Sequence, residues 1–367
     1  MKIPFFKPLI EEEEINSVTN CLNSGWLTTG NRCKEFEKNF ATYLKTSNYT
    51  ITVNSNTSGL HLALEAIGIK AGDEVITTTL TFTATAEVIR YLGAIPRFVD
   101  ISKDSYCIDP EKIEKAITPR TKCIIPVHFA GFPIDMKTIN DIASKYSIDV
   151  VEDCAHALPS KYSNGDFVGD SRSNTCVFSF YANKCITTGE GGMIVTPNKK
   201  IYDRIKIMRL HGIDRDALDR FTNIKSSWFY DVVEAGYKYN MPDINAALGI
   251  EQLKKSSIFH SKRKKIAEKY ISELSNLKIK LPSHPENKDD HAWHIFAIKL
   301  NKNNSERDDF NRYLNDKGIG TSVHYRPLHM NTYWKKVIKN SGYNSNFPIS
   351  EEYFENCLSI PIYPCLT

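Results

Sequence analysis

The chain has 367 residues, 41% of them hydrophobic and 25% charged, with a formal net charge of +4. That composition excludes a disordered, fibrous or repeat-built protein, and the dispersed basic residues, KRKK at 262–265 among them, give no nucleic-acid footprint. The length is roughly two to three times that of a common domain and predicts one large domain with a smaller one.

The first residues, MKIPFFKPLIEEEE, turn acidic before a signal-peptide core can form, and no apolar run reaches the roughly 20 residues that span a bilayer. A cytoplasmic protein with no membrane partner is expected. The nine cysteines are an odd number, with none in CxxC spacing or near paired histidines, so reduced, buried thiols and no metal are expected.

From residue 48 to about 200 one rhythm repeats: a short β-branched run, a turn, then an amphipathic stretch of helix length. TITV leads into SGLHLALEAIG, EVITTT into FTATAEVIRYLG, IPRFVDI into DPEKIEKAI and KCIIPVHF into DMKTINDIASKYS, and DVVED follows. This predicts βαβ units on a parallel sheet covered on both faces, an α/β fold whose ligand site lies beyond the carboxyl ends of the strands. After residue 240 the pattern predicts one long helix (INAALGIEQLKKSSIFHSKRKKIAEKYISELSNL), a strand (HAWHIFAIKL), a further helix and another strand (GIGTSVHYRP). The expected organisation is a large domain over 1–250 and a smaller C-terminal α+β domain over 251–367, with no internal repeat or low-complexity linker.

The residues after each strand carry the chemistry. Asn54 to Gly59 place small residues and hydroxyls, those of Thr57 and Ser58 included, at a helix N-terminus, where backbone N–H groups and the helix dipole hold a phosphate. An ordinary N-cap accounts for the same residues. DVVEDCAHA ends an apolar strand with Glu152 and Asp153; a carboxylate there needs a positive partner or several donors, so Asp153 is expected to be paired. Lys184 lies in a glycine-rich turn between Val177–Phe180 and Met193–Val195, where desolvation lowers an amine's pKa and makes it a nucleophile able to form a Schiff base.

These pieces fit one cofactor. Pyridoxal 5'-phosphate needs a lysine for its aldehyde, a carboxylate to keep its ring nitrogen protonated, a helix N-terminus for its phosphate and an aromatic face, for which Phe82 is the candidate, core packing being its other reading.

Taken together, SGWLTTG, TSGLHLAL, GDEVITTTLTFTAT, IIPVHFAGFPIDM, VVEDCAHA, FSFYANK, TTGEGG and GYKYNMPDINAALG resemble, in that order, the DegT/DnrJ/StrS family of sugar aminotransferases. KYNMPDINAA, HAWHIFAIKL and GIGTSVHYRPLH are most similar to its UDP-4-amino-4-deoxy-L-arabinose:oxoglutarate aminotransferase branch. The resemblance implies a fold type I pyridoxal-phosphate transferase in which Lys184 holds the cofactor and shuttles the proton, Asp153 partners the ring nitrogen and His156 lies close to the ring's phenolic oxygen. It implies phosphate contacts from Thr57, Ser58 and Ser179, stacking by Phe82, and a homodimer in which the loop of Lys238 and Asn240 reaches the neighbour's site.

The expected reaction moves an amino group from L-glutamate to the C4 ketone of a nucleotide-linked sugar in two half-reactions, for amino-sugar glycans such as lipopolysaccharide or capsule, with Trp26, His324 and Arg326 toward the substrate or else packed structurally. Another carbonyl acceptor, or a scaffold that binds the cofactor without turnover, are the alternatives. Three departures stand out: Lys238 and Asn240 where many relatives carry GYNYR, Asn56 in place of a phosphate-loop glycine, and an end at IPIYPCLT where relatives continue through a further helix.

Overall fold

The computed structural model describes residues 2–214, 230–301, 304–343 and 346–366. Each predicted β-branched run forms a strand: β1 (Tyr49–Val53), β2 (Glu74–Thr78), β3 (Ile95–Val99), β4 (Thr121–Ile125) and β5 (Asp149–Asp153). With β6 (Thr175–Ser179) and β7 (Gly192–Thr196) they make a seven-stranded sheet of order β1-β7-β6-β5-β4-β2-β3. β7 runs antiparallel to both neighbours, and the other pairs are parallel. Side chains alternate across the sheet, as the pleat requires. Cys176 and Phe178 enter one apolar cluster with Phe36, Phe40 and Met241, while Val177 enters another with Leu60, Leu62 and Ile125.

The helices that cover the sheet are α1 (Glu12–Asn23), α2 (Asn31–Leu44), α3 (Asn56–Ala66), α4 (Ala84–Tyr91), α5 (Pro110–Ala116), α6 (Met136–Tyr146), α7 (Lys199–Met208), α8 (Asp243–Lys254) and α9 (Ser256–Leu274). α3 lies so close to β6 that a Cβ on Gly59 would meet Val177 at 2.5 Å, so only glycine fits that crossing. A second, antiparallel sheet of order β10-β9-β8 joins β8 (Ile279–Lys280), β9 (Phe296–Leu300) and β10 (Cys357–Ile360), with α10 (Asn304–Asp316), α11 (Thr332–Ser341) and α12 (Pro348–Asn356). Its core holds Trp293, Phe296, Ile298 and Leu358.

Three predicted elements differ. The long helix is broken at Lys255, which sits at φ −93°, ψ −3° and whose ammonium is tied to Glu11 (2.8 Å), Glu13 (3.0 Å) and Glu14 (2.8 Å) around the start of α1. HAWHIFAIKL is extended only from Phe296; before it, Ala292 and His294 donate their N–H groups to Gly131 and Ala130, and Trp293 adopts φ +51°. GIGTSVHYRP forms no strand but makes single bridges, Ile319 to Ile3 and Ser322 to Ser359, before turning His324 and Tyr325 toward the large sheet. Residue 250 falls inside α8, which packs on α1 and α2.

Two polar features are buried in this frame. Glu152 is fully enclosed, but it accepts from His128 (2.8 Å), Tyr162 (2.8 Å) and Asn174 (2.7 Å). Burial pushes its pKa up, yet these donors outweigh that and hold it below the usual carboxylate range. Glu152→Ala strands His128 and Asn174 together and is expected to cost about 3–5 kcal/mol, read as a lower midpoint in urea with the slope unchanged. None of the nine cysteines forms a disulfide, and all but Cys365 are buried.

Candidate active site

Lys184 occupies the turn between β6 and β7, and hydrogen bonds fix that turn. The Lys184 N–H donates to Tyr181 (2.9 Å), the Thr188 N–H to Phe180 (2.9 Å), and the Asn245 amide to the carbonyls of Thr188 (2.8 Å) and Glu190 (2.9 Å). The turn sets Lys184 in a cavity of about 480 Å³ beyond the carboxyl ends of β1, β5 and β6. Burial pushes its amine down to about 8, with Asp153 opposing part of the shift. About a tenth of the amine is then neutral at pH 7, against a negligible share for a solvated lysine. In the cofactor-free protein, the rate of pyridoxal phosphate capture is therefore expected to rise with pH and level off above about 8, as stopped-flow absorbance would show.

Asp153, at the end of β5, is partnered by neutral donors. It accepts from the Thr85 hydroxyl (2.8 Å), the Ala155 N–H (3.1 Å) and, at the limit of a hydrogen bond, the Asn56 amide (3.5 Å). Thr85 is paired in turn with Thr81 (2.8 Å). Burial raises the carboxyl's pKa, and these donors and the Lys184 charge offset only part of the rise.

The cavity brings together Lys184, Asp153, His156, Thr57, Phe82, Ser179 and His324 of the residues singled out from sequence. Phe82 is 59% exposed, so its ring is an open face and not core packing. The remaining residues lie elsewhere within this chain. Ser58 is buried beside the cavity with its hydroxyl engaged in capping α3, donating to the Ser55 carbonyl (2.8 Å). Trp26 borders a different cavity with Cys21, Arg32 and Asp243. Arg326 is exposed on an outer cleft. Asn240 donates to Thr29 (2.6 Å), and the Lys238 carbonyl accepts from Asn54 (3.3 Å).

Sequence reasoning missed Asn56, Thr85 and Tyr325. The substitution of Asn56 for a glycine was visible, but not that its amide spans to the Val177 carbonyl (2.9 Å) and Asp153. Thr85 stood in a threonine-rich strand end, and Tyr325 next to His324 in VHYRPLH.

The donor set fits pyridoxal phosphate. Lys184 would meet its aldehyde and Asp153 its ring nitrogen, and the N-terminus of α3 would meet its phosphate together with Thr57 and Ser179. Asn183, which also lines the cavity, has a buried side-chain oxygen with no partner among the described residues. The mostly parallel sheet with this lysine and acid at its strand ends defines a fold type I pyridoxal-phosphate-dependent aminotransferase.

Residues 8–367 match the model of the DegT/DnrJ/EryC1/StrS aminotransferase family, and the chain belongs to that family. It is 40% identical to the spore coat polysaccharide biosynthesis protein SpsC of Bacillus subtilis, covering 100% of this chain and 93% of SpsC. It is 47% identical to the uncharacterized protein MJ1066 of Methanocaldococcus jannaschii, over 100% and 94% of the two chains. Among solved structures, the putative sugar aminotransferase Spr1654 of Streptococcus pneumoniae, in forms with pyridoxamine and pyridoxal phosphate, superposes with a TM-score of 0.91 at 34% identity, over 100% of this chain. That match covers 94% of the Spr1654 chain in the pyridoxamine form and 95% in the pyridoxal form. Helicobacter pylori PseC, an aminotransferase involved in the biosynthesis of pseudoaminic acid, gives 0.90 at 28% identity, over 100% and 95%.

Proposed function

We propose that the protein moves the amino group of L-glutamate onto the C4 ketone of a nucleotide-linked sugar. The carrying observation is the shape of the site. Thr81, Phe82 and Tyr325 form a boundary between the Lys184 cavity and an outer cleft of about 380 Å³ that also contains Arg326, Tyr333 and Trp334. A sugar inside the cavity leaves its nucleotide in the cleft, with an arginine for phosphate charge and aromatic rings for a base. The naming of PseC and SpsC for sugar and polysaccharide synthesis supports the same reading.

Bound pyridoxal phosphate supplies an electron sink that lets nitrogen pass between two carbon skeletons. The chain supplies the rest. Lys184, part neutral near pH 7, would take a proton from one carbon and return it to another; Asp153 would face the ring nitrogen of the bound cofactor, and Phe82 would cover one face of its ring. In the proposed homodimer the Lys238–Asn240 loop serves the neighbour's site. No helix among the described residues is long and apolar enough to cross a membrane.

The test is incubation of the loaded protein and L-glutamate with nucleotide-linked C4- and C3-keto sugars, phosphorylated ketoses and a keto-inositol, read by mass spectrometry for the change from ketone to amine. Amination of a C4-keto nucleotide sugar is expected. Turnover confined to an acceptor without a nucleotide would overturn the proposal.

A further inference from the structure

His156 has no ring nitrogen left for a ligand. Its Nδ1 accepts the Ala130 N–H (3.2 Å), and its Nε2 lies 3.2 Å from the Tyr325 hydroxyl. Burial and the nearby Lys184 charge hold the imidazole neutral, so with Nδ1 accepting, the single ring proton sits on Nε2 and is donated to the Tyr325 oxygen. A hydroxyl that accepts there still has its own proton to give. No second partner for it occurs among the described residues, and Tyr325 lines the same cavity as Lys184. Burial and the Asp153 charge keep the phenol protonated, so it acts as a fixed donor and not as a base. The ring is wedged between Phe82 (6.1 Å between centroids) and Phe129 (6.3 Å), which leaves the hydroxyl little choice of direction.

We propose that Tyr325 is a catalytic residue whose O–H, oriented by the Ala130–His156 pair, donates a hydrogen bond to an oxygen of the molecule bound at Lys184. Two sources present such an oxygen: the ring hydroxyl of pyridoxal phosphate, or the carboxylate or carbonyl of a reacting substrate. The second source rests on the function proposed above; the first does not.

Tyr325→Phe removes the donor and retains the ring. Its first readout is the pH titration of the absorbance of the resting, cofactor-loaded protein, without substrate. If the cofactor oxygen is the acceptor, the midpoint shifts by about one pH unit relative to wild type, the worth of one hydrogen bond to a charged oxygen. The second readout is the rate at which L-glutamate converts the bound cofactor. If a substrate oxygen is the acceptor, the titration holds and this rate falls about tenfold or more. Both curves unchanged would overturn the proposal. Should L-glutamate fail to convert the wild type, the donor in the proposed function is wrong, and the resting titration alone decides. In the cofactor-free protein, nitrogen-15 spectra of labelled histidine should show His156 neutral and protonated on Nε2. A proton on Nδ1 would remove the orientation argument and overturn the assignment.

Discussion

Replacing Lys184 by alanine is expected to lower transamination at least about 10⁴-fold, because the substitution removes the group that both anchors the cofactor and moves the proton. The change is local. The turn that carries residue 184 is held by backbone groups and by Asn245, none of which involves the lysine side chain, so the variant should fold and unfold as the wild type does. Cofactor should still bind, through the start of α3 and Asp153, but treatment with borohydride should no longer attach it to the peptide containing residue 184. Small primary amines added to the variant should restore part of the rate. Full turnover without such rescue would remove Lys184 from the mechanism.

The second large effect is expected at Asp153. Asp153→Asn keeps the size of the side chain but replaces a charge aimed at the cofactor ring with a dipole, and turnover should fall about 10²–10³-fold. Stability should move the other way. Because burial raises the carboxyl's pKa in the folded protein, its ionisation opposes folding: the penalty is absent below the ordinary carboxylate pKa and complete once pH exceeds the raised one. At neutral pH the cofactor-free asparagine variant should therefore melt above the cofactor-free wild type, with the gap closing when both are loaded. Scanning calorimetry with and without pyridoxal phosphate distinguishes this from simple damage to the core, which would lower both melting points.

How much of this was legible in sequence depends on how locally each feature is encoded. The strand ends were readable because β-branched runs, turn residues and helical stretches follow one another within a few positions, and the lysine in a glycine-rich turn stood out against its apolar flanks. The partners of Asp153 were not readable. Thr85 lies 68 positions away and Asn56 lies 97, and only the close approach of α3 and α4 to β5 and β6 brings them together. The Tyr325 contact to His156 spans 169 positions. GIGTSVHYRP read as a strand by its β-branched and aromatic content, and there tertiary packing overrode propensity. Ser58 shows the opposite case: its hydroxyl takes part in the capping of α3, the local role that a serine at a helix start signals.

The sheltered sulfur atoms provide a chemical clock for motion. Cys21 sits on α1, Cys33 on α2, Cys123, Cys154 and Cys176 on or beside the large sheet, and Cys357 on the small one, each shielded and each held as an unreactive thiol by burial. An alkylating reagent left with the native protein marks each position only when its own region opens, so the order in which these six acquire label ranks the opening free energies of the two sheets and the N-terminal helices without a single engineered probe.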